Sequence, residues 1–187
     1  PGQYLELDVP HRRPDARGTR REFSIVSAPG DLPLVRIAYK DGDQKHPSSY
    51  KRALAASEPG DVLAVTGTWG DFILPRSEAP VLMVAAGIGV TPFVSQLRQR
   101  QHDGTARDVV LVYVAAEAAE LAFRDELAST GVRVIVFTPD EPVDLPAHWT
   151  WAGGVRLDAE HLERVVQDLP ARQAFISGPP RLIASLA

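Results

Sequence analysis

A glycine turn that joins an apolar run to a helical pattern constrains this chain more than any other stretch. Residues 81–85 are continuously apolar, the turn that follows reads Gly-x-Gly-x-x-Pro with Gly87, Gly89 and Pro92, and residues 92–101 carry apolar side chains at helical spacing. Glycines let the main chain turn sharply and leave its N–H groups open to a ligand, and the helix start adds further unpaired N–H groups. The pattern is typical of a phosphate-binding turn, although glycines also occur where a strand packs closely on a helix.

The composition argues against several classes of protein. With 20 basic and 24 acidic side chains the formal net charge is -4, which gives no basic footprint for nucleic acid. Cysteine is absent, which excludes a disulfide, a thiolate metal site and a cysteine-ligated iron–sulfur cluster within this sequence, and the five histidines lack metal-ligand spacing. The apolar run at residues 81–90 is far shorter than the roughly 20 residues that span a bilayer. We therefore predict no metal, no nucleic-acid partner and no membrane span within these residues.

The first part of the chain, residues 1–78, is rich in proline, glycine and alternating patterns. Short runs of alternating or β-branched residues predict four strands, at residues 4–9, 23–26, 34–39 and 62–65. Residues 48–56 predict one short helix, with Ser48 or Ser49 as its cap. Several short strands at such spacing favour an antiparallel barrel or sandwich.

The composition changes near residues 77–80, and residues 79–187 alternate apolar runs with helical patterns. Continuous apolar runs predict buried parallel strands at residues 81–85, 109–114, 132–137 and 174–176. Helices are predicted at residues 92–101, 118–128, 159–168 and 180–186, with Asp158 and Pro180 at the starts of the last two. Trp149 and Trp151 are expected to pack into the core from a loop. Strands alternating with helices predict a doubly wound α/β unit.

A second motif lies in the first part, where residues 21–27 read R-E-F-S-I-V-S. This resembles the flavin-binding motif R-x-Y-S-x-x-S of the ferredoxin–NADP reductase superfamily. Other landmarks of that superfamily follow in the same order over nearly the whole chain. They are P-G-Q-Y at residues 1–4, S-S-Y-K-R-A-L at 48–54, G-T-W-G-D-F at 67–72, A-A-G-I-G-V-T-P at 85–92 and S-G-P-P at 177–180.

The resemblance implies a two-domain fold. Residues 1–78 would form an FAD-binding, Greek-key antiparallel β-barrel, and residues 79–187 an NAD(P)-binding domain with a doubly wound parallel sheet. Against the usual family pattern, the barrel is expected to lack its first strands and the second domain its terminal segment.

The resemblance also implies how the first part would bind FAD. Arg21 would pair with a flavin phosphate, because a guanidinium bonds phosphate through two donors. Phe23, where the family usually has Tyr, would lie against the flavin ring or its ribityl chain. Ser24 would be the catalytic donor to the ring nitrogen that accepts hydride, and Ser27 would support the turn. Two helix residues would lie near the flavin pyrophosphate, or cap the helix instead: Ser49 and Tyr50.

In the second part the resemblance implies a site for the nicotinamide nucleotide. Ser177, the second catalytic candidate, would border the nicotinamide ring with Gly178 and Pro179, and it replaces the cysteine that the family commonly has there. Four residues of the glycine turn would cradle the nucleotide: Gly87, Gly89, Thr91 and Pro92.

The choice between NADH and NADPH is predicted from the residues after the second parallel strand. NADP-using relatives tend to show Ser and Arg there, whereas residues 114–117 read V-A-A-E. Glu117 would repel a ribose phosphate and could bond a ribose hydroxyl. Arg124 could reach back from the next helix, although Glu120 is its more ordinary partner. The predicted cofactors are FAD and NADH, with NADPH less favoured.

The resemblance thus predicts a flavoprotein reductase that takes hydride from NADH, or less readily from NADPH, and passes electrons singly to an acceptor. That acceptor would be an iron–sulfur, haem or membrane domain outside this segment, or a small oxidant such as a ferric chelate, and the expected location is cytoplasmic. The alternative is a nucleotide-binding or assembly module that keeps the fold without turnover. The departures at Phe23, Thr68 and Ser177 favour that alternative.

Overall fold

The computed structural model describes residues 1–40, 48–154 and 156–186, which form two sheets with helices packed on them. The first sheet is antiparallel and holds β1 (Tyr4–Asp8), β2 (Arg20–Ser24) and β3 (Ala64–Trp69) in the order β2-β1-β3. Tyr4 pairs with Ser24 on one side and with Trp69 on the other. The predicted antiparallel character of the first part is confirmed, and its closure into a Greek-key barrel stays a prediction.

One helix, α1 (Ser49–Ala55), packs on this sheet. The side chain of Ser48 caps it by accepting a hydrogen bond from the backbone N–H of Lys51 at 3.2 Å, which satisfies one unpaired donor of the first turn. Tyr50 is buried and lies against the inward side chains Leu5 and Leu7 of β1. The small core of the first sheet therefore depends on this helix.

Three predicted strands of the first part have other bounds in the structure. The strand predicted at residues 23–26 is β2, which begins at Arg20 and ends at Ser24. Residues 34–39 form no strand, and only Ile37 bridges to Ile25. The backbone N–H of Arg36 bonds to the side chain of Ser27 rather than to a neighbouring strand, so no ladder extends there. The strand predicted at residues 62–65 begins at Ala64 instead, because Val62 is 96% exposed and contributes nothing to the core.

The second sheet has five parallel strands in the order β7-β6-β5-β4-β8. Their bounds are β4 (Val81–Ala86), β5 (Val109–Val114), β6 (Arg133–Phe137), β7 (Trp149–Trp151) and β8 (Gln173–Ser177). The helices among them are α2 (Thr91–His102), α3 (Arg124–Ser129), α4 (Ala159–Val165) and α5 (Pro180–Leu186). The four predicted parallel strands are confirmed, as are the start of α4 at its Asp158 cap and the start of α5 at Pro180.

Both faces of the parallel sheet are covered, as its continuous apolar strands require. Met83 on β4 and Leu111 on β5 pack with Phe93 of α2 in one cluster, whereas Leu82 packs with Leu162 of α4 in another. Alternate residues of one strand therefore serve opposite layers, which confirms the doubly wound arrangement. The change from antiparallel to parallel falls between β3 and β4, and the border at residues 78 and 79 stays a prediction.

Two further predictions for the second part were wrong. The single helix expected at residues 118–128 is a 3₁₀ turn, Ala118–Glu120, followed by α3, and Phe123 between them has a φ of +59° that breaks the helix. The break is held by the Tyr113 hydroxyl, which accepts a hydrogen bond from the N–H of Ala122 at 3.0 Å. The tryptophans expected in a loop form β7, although Trp149 is buried as predicted.

The strand order fixes where a ligand can bind. Strand β4 has β5 on one side and β8 on the other. Successive strands after β4 are added on one side of it as far as β7, and β8 is then added on its other side, so β4 marks the point where the strand order reverses. In open α/β sheets the crevice beyond the carboxyl ends of the strands at such a switch point is the usual ligand site. Ala85 of β4 pairs with Ser177 of β8 at this edge. The glycine turn after β4 and the Ser-Gly-Pro-Pro stretch after β8 are therefore neighbours.

Candidate active site between the two sheets

A cavity of about 840 Å³ lies between the antiparallel sheet and the carboxyl edge of the parallel sheet. Its volume falls within the range of small-molecule and cofactor sites, about 300–1,000 Å³. The first part of the chain lines it with Glu22, Phe23, Ser24, Ala38, Tyr39, Lys40 and Lys51. The second part lines it with Ala86, Gly87, Ile88, Gly89, Thr91, Val114, Ala115, Ala116, Glu120, Ser177, Gly178 and Pro179.

The glycine turn forms the cavity wall at the start of α2. Gly87 has a φ of +52°, and a Cβ built on it would meet no atom within 4 Å, so its backbone faces open space. Residues Gly87–Val90 make a 3₁₀ turn, after which Thr91 donates its hydroxyl to the carbonyl of Ile88 at 3.0 Å. The N-terminus of α2 therefore faces the cavity with its dipole and unpaired N–H groups, which suits an anionic group.

Gly89 has a different function from Gly87. A Cβ on Gly89 would lie 2.5 Å from the Ser177 carbonyl oxygen and 3.0 Å from the Gly178 Cα. Only glycine allows the two loops to approach this closely, and the approach brings residues 177–179 to the cavity wall. Of the turn residues predicted to cradle a nucleotide, Gly87, Gly89 and Thr91 line the cavity, while Pro92 is buried behind it in α2.

Strand β2 and the chain beyond it contribute the opposite wall. Phe23 and Ser24 line the cavity, and the ring centroid of Phe23 lies 6.0 Å from that of Tyr50 and 6.2 Å from that of Tyr39. Both sides of β2 reach the cavity because β2 is an edge strand of the described sheet, with β1 on one side only. Ser24 and Ser177, the two predicted catalytic residues, thus border one space with Phe23, which was predicted to contact the flavin.

Arg21 does not line the cavity. Its Nη2 donates to Asp15 Oδ1 at 2.7 Å, and its Nη1 donates to the carbonyl oxygens of residues 17, 18 and 20 at 2.6–3.1 Å. Its guanidinium lies 4.9 Å above the Tyr50 ring, and its side chain is only 14% exposed. The Arg17 backbone N–H, with Arg21, lowers the pKa of Asp15. In this arrangement Arg21 holds the loop before β2 in place.

Three other predicted flavin residues also make internal contacts away from the cavity. Ser49 contacts the ring of His11 at 3.0 Å and accepts from the N–H of Asp15 at 3.2 Å. The Tyr50 hydroxyl donates to the Leu7 carbonyl at 2.9 Å, and burial raises the pKa of Tyr50 to about 12. Ser27 is buried, where its hydroxyl accepts from the N–H of Arg36.

Two lysines line the cavity that were not singled out from the sequence. Lys40 forms an ion pair with Glu120 at 2.5 Å, and Lys51 donates to the Lys40 carbonyl and lies 5.7 Å from the Tyr39 ring centroid. An ammonium group binds phosphate as a compact charge, so these residues give the cavity cationic character. Lys51 stands within the S-S-Y-K-R-A-L stretch, which is the sequence signal that could have identified it.

Residues 114–117, which were predicted to select NADH over NADPH, lie only partly at the cavity. Val114, Ala115 and Ala116 line it, whereas Glu117 is exposed and its carbonyl accepts from the N–H of Glu120. The expected pairing of Arg124 with Glu120 was wrong, since its guanidinium donates to the carbonyls of residues 143 and 144. Its contact with a ribose phosphate stays a prediction.

Among residues 1–40, 48–154 and 156–186, no three histidine, aspartate or glutamate side chains group closely enough to hold a metal ion. In the same residues no helix has the length and apolar character needed to cross a membrane.

Comparison with known proteins gives one family and several relatives. A family model described as an oxidoreductase NAD-binding domain matches residues 83–187. A flavohemoprotein of Deinococcus radiodurans is 33% identical over 96% of this chain and 44% of its own length. Ferredoxin–NADP reductase B of Sorangium cellulosum is 30% identical over 98% of this chain and 75% of its own length.

Among solved structures, that of phthalate dioxygenase reductase matches this chain with a TM-score of 0.71. It is described as a modular structure for electron transfer from pyridine nucleotides to 2Fe–2S. It is 26% identical to this chain over 98% of the chain and 51% of that structure. The chain therefore spans about half the length of the flavohemoprotein and of this reductase, and three quarters of the Sorangium reductase.

Proposed function

Because the chain belongs to the ferredoxin–NADP reductase superfamily of NAD(P)H-dependent flavoprotein reductases, we propose that it moves hydride from NADH to FAD and passes the electrons singly to an acceptor. The observation that carries this proposal is the shared cavity, where Phe23 and Ser24 face the glycine turn and Ser177. These groups come from two sheets and from distant parts of the chain. Their meeting in one space supports a reaction between two bound molecules.

The described residues fit both cofactors. The wall at Phe23 and Tyr39 is aromatic, which suits a flat ring system, while the open backbone of Gly87 and the N-terminus of α2 suit a nucleotide phosphate. Bound FAD supplies the chemistry that accepts two electrons and releases them one at a time. The protein has to hold the reacting atoms about 3–3.5 Å apart and keep water away from them.

Ser24 and Ser177 are the proposed catalytic residues. Ser24 ends β2 at the cavity wall, where its hydroxyl would donate a hydrogen bond to the hydride-accepting nitrogen of a bound flavin. Ser177 ends β8 on the facing wall and, together with Gly178 and Pro179, would border the nicotinamide ring. Neither residue acts as a general acid or base, because hydride transfer depends on positioning.

The anionic parts of the cofactors are assigned to the cations near the cavity. Lys40 and Lys51 line it directly, and Lys40 can exchange its contact with Glu120 for a phosphate oxygen. Arg21 contributes to the flavin phosphate site only by exchanging Asp15 or a backbone carbonyl for that phosphate. Ser27, Ser49 and Tyr50 then support the site through their internal hydrogen bonds.

We assign NADH as the preferred donor. Residues 114–116 at the cavity are small and uncharged, and Glu117 follows at the exposed edge. A ribose phosphate would find no cation among these residues, and a missing charged hydrogen bond costs about 1.5–3 kcal/mol.

The acceptor is proposed to be a haem or iron–sulfur domain. The Deinococcus relative is a flavohemoprotein, and the phthalate dioxygenase reductase is described as delivering electrons to 2Fe–2S. Cysteine is absent from this sequence, so a cysteine-ligated cluster would belong to another domain or protein. A membrane domain or a small oxidant is the less supported acceptor, and the cytoplasm is the proposed location.

The test is an anaerobic absorbance titration of the protein with FAD, then with NADH and separately with NADPH. We expect flavin to bind and its absorbance to bleach on addition of NADH, more slowly with NADPH. Ser24→Ala should slow bleaching at saturating NADH about tenfold and leave the absorbance of bound flavin in place. Ser57→Ala is the matched control, because the Ser57 hydroxyl lies outside the cavity and bonds only to the Ala53 carbonyl among the described contacts.

Bound flavin that stays oxidised under NADH would contradict the reductase and favour a nucleotide-binding module without turnover. No flavin binding at all would contradict the assignment of the Phe23–Ser24 wall. Equal bleaching rates with NADH and NADPH would contradict only the assigned cofactor preference.

A further inference from the structure

One face of α2 carries a stripe of polar side chains that crosses to the first part of the chain. Ser95, Arg98, Gln99 and His102 are spaced three and four residues apart, so they share one face of the helix. All four contact the segment between residues 27 and 31, which follows the Phe23–Ser24 wall. We name these four side chains together with residues 27–31 the interdomain clamp.

The contacts within the clamp are short and specific. The buried Ser95 hydroxyl donates to the Ser27 carbonyl at 2.7 Å, and the Gly30 N–H donates to the Gln99 side chain at 2.9 Å. Arg98 donates to both oxygens of Asp31, from Nη2 at 2.7 Å and from Nε at 3.0 Å. Bidentate pairing of this kind fixes orientation as well as distance.

A second acidic side chain extends the clamp to α3. Arg98 donates from Nη1 to Glu126 at 3.0 Å, and the same carboxylate accepts two hydrogen bonds from Arg36 at 2.6 and 3.2 Å. Charges alternate along the series Arg36, Glu126, Arg98 and Asp31. The Asp31 side chain is 11% exposed and those of Arg98 and Glu126 are each 28% exposed, so solvent screens this network less than a surface ion pair.

The clamp is connected to the cavity walls by short stretches of chain. From the cavity residue Ser24 the chain reaches Ser27 in three residues, and from Thr91 at the start of α2 it reaches Ser95 in four. The helix is rigid over this distance because its backbone hydrogen bonds are internal. A shift of the clamp therefore changes the separation between the Ser24 wall and the glycine turn.

We infer that the interdomain clamp sets the distance between the flavin-side wall and the nicotinamide-side wall, and that Arg98 is its positioning residue. This inference rests on the proposed function. Arg98 does not line the cavity, so it acts through Asp31 and Glu126 rather than on either cofactor. Because hydride transfer requires the reacting atoms to be within about 3–3.5 Å, displacement by 1 Å can lower the rate about a hundredfold.

The kinetic test compares the limiting rate of flavin reduction at saturating NADH with the affinity for FAD. Arg98→Gln should lower the limiting rate about 10- to 100-fold and change the dissociation constant of FAD less than threefold. Arg98→Lys, which keeps the charge but not the paired donors, should recover part of the rate. Asp31→Asn combined with Arg98→Gln should be little slower than Arg98→Gln alone, because the Arg98–Asp31 pair is already broken in the single variant.

The matched control is Gln101→Ala on the same helix. The Gln101 side chain donates to the Ser129 carbonyl, a contact within the second part of the chain. Its substitution by alanine should therefore leave the limiting rate within twofold of the wild-type value. A role in stability alone would lower the unfolding midpoint of Arg98→Gln without changing the rate at a temperature where the variant is folded. That result would overturn the inference.

A distance measurement separates failure of the clamp from failure of the proposed function. Val62→Cys and Glu163→Cys place two thiols on exposed positions of the two parts, and the native sequence has no cysteine to interfere. Spin labels at these sites should give a narrow distance distribution that broadens in Arg98→Gln and stays narrow in Gln101→Ala. An unchanged distribution in Arg98→Gln would overturn the clamp, whether or not NADH reduces the protein.

Discussion

Gly87 and Gly89 lie two residues apart in one turn, and glycine is required at the two positions for different physical reasons. Gly87 has a positive φ and free space around the position of a Cβ, so glycine is required there for its backbone conformation. At Gly89 three backbone atoms of the Ser177–Gly178 loop lie 2.5–3.0 Å from the position of a Cβ, so glycine is required there for steric reasons. A sequence motif that requires glycine at both positions does not distinguish these two causes.

We predict that Gly89→Ala destabilises the protein more than Gly87→Ala. The methyl group at position 89 has to displace backbone, and overpacking of this kind costs about 1–3 kcal/mol, for which we expect the upper end. At position 87 only the left-handed conformation is strained, at about 1 kcal/mol. Urea unfolding of both variants measures the difference, and a larger loss for Gly87→Ala would contradict it.

Tyr50 allows a test of whether a motif residue binds the cofactor or supports the fold. Its hydroxyl donates to the Leu7 carbonyl, so we predict that Tyr50→Phe lowers the free energy of unfolding by about 1 kcal/mol. The affinity for FAD should change less than twofold, because the hydroxyl faces the sheet. Urea unfolding and a flavin titration of the same variant measure both quantities. A loss of affinity without a loss of stability would restore the role that the resemblance implies.

These residues show how far the sequence predicts the site. The pattern of residues 85–92 and 177–180 predicts which backbone segments face the cavity, because main-chain geometry limits which residues can stand there. The partners of Arg21 do not follow from its motif. They depend on how the preceding loop folds back, which brings Asp15 and three carbonyls to one guanidinium. Lys40 reaches the cavity for a similar reason, through its long-range pair with Glu120.

At the scale of elements, α1 is short and depends on its cap. We predict that Ser48→Ala lowers the free energy of unfolding by about 1 kcal/mol, since the N–H of Lys51 loses its acceptor. Ser48→Asp should keep most of the stability, because a carboxylate also accepts this bond and suits the helix N-terminus. Urea unfolding of the two variants measures the contrast. Unchanged stability of Ser48→Ala would mean that the cap contributes nothing, and equal losses in the two variants would mean that a carboxylate does not replace the hydroxyl.

The elements that were predicted correctly form because of local sequence patterns, whereas those that were predicted wrongly depend on contacts with residues distant in sequence. The continuous apolar strands from β4 to β6 follow from burial on both faces, which the sequence shows directly. The break before α3 is decided by Phe123 and by the hydroxyl of Tyr113, which is ten residues away. Strand β7 has three residues, too few for a periodic pattern, and it forms because β6 offers an open edge.

At the scale of the whole molecule, the contact between the two parts makes stability depend on pH. The hydrogen bond from Arg98, followed by the backbone N–H of Ala28 and by His102, holds the pKa of Asp31 well below its usual range. A lowered folded-state pKa means that ionised Asp31 stabilises the fold fully above its unfolded pKa of about 3.9. This contribution is lost as the pH falls below that value.

We therefore predict that the wild-type protein loses more unfolding free energy between pH 5 and pH 2 than Asp31→Asn does. Other aspartates with lowered pKa, such as Asp15 and Asp158, remain in both proteins and cancel in the comparison. Urea unfolding at half-unit steps of pH measures the two curves. If the unfolding free energies of the two proteins changed in parallel with pH, the ionised form of Asp31 would not be stabilised by its pair with Arg98.

The strand order also determines when during synthesis the cavity can form. Strand β4 lies inside the sheet, but its neighbour β8 comes last in sequence among the five described strands of that sheet. At about 5–20 residues added per second, a ribosome delivers β8 roughly 5–18 seconds after β4. Until then the loop at Ser177 and Gly178 is missing and one side of β4 stays open. A nascent chain therefore acquires this wall of the nucleotide site only after β8 has been made, so a bound nucleotide can stabilise only chains that extend beyond β8.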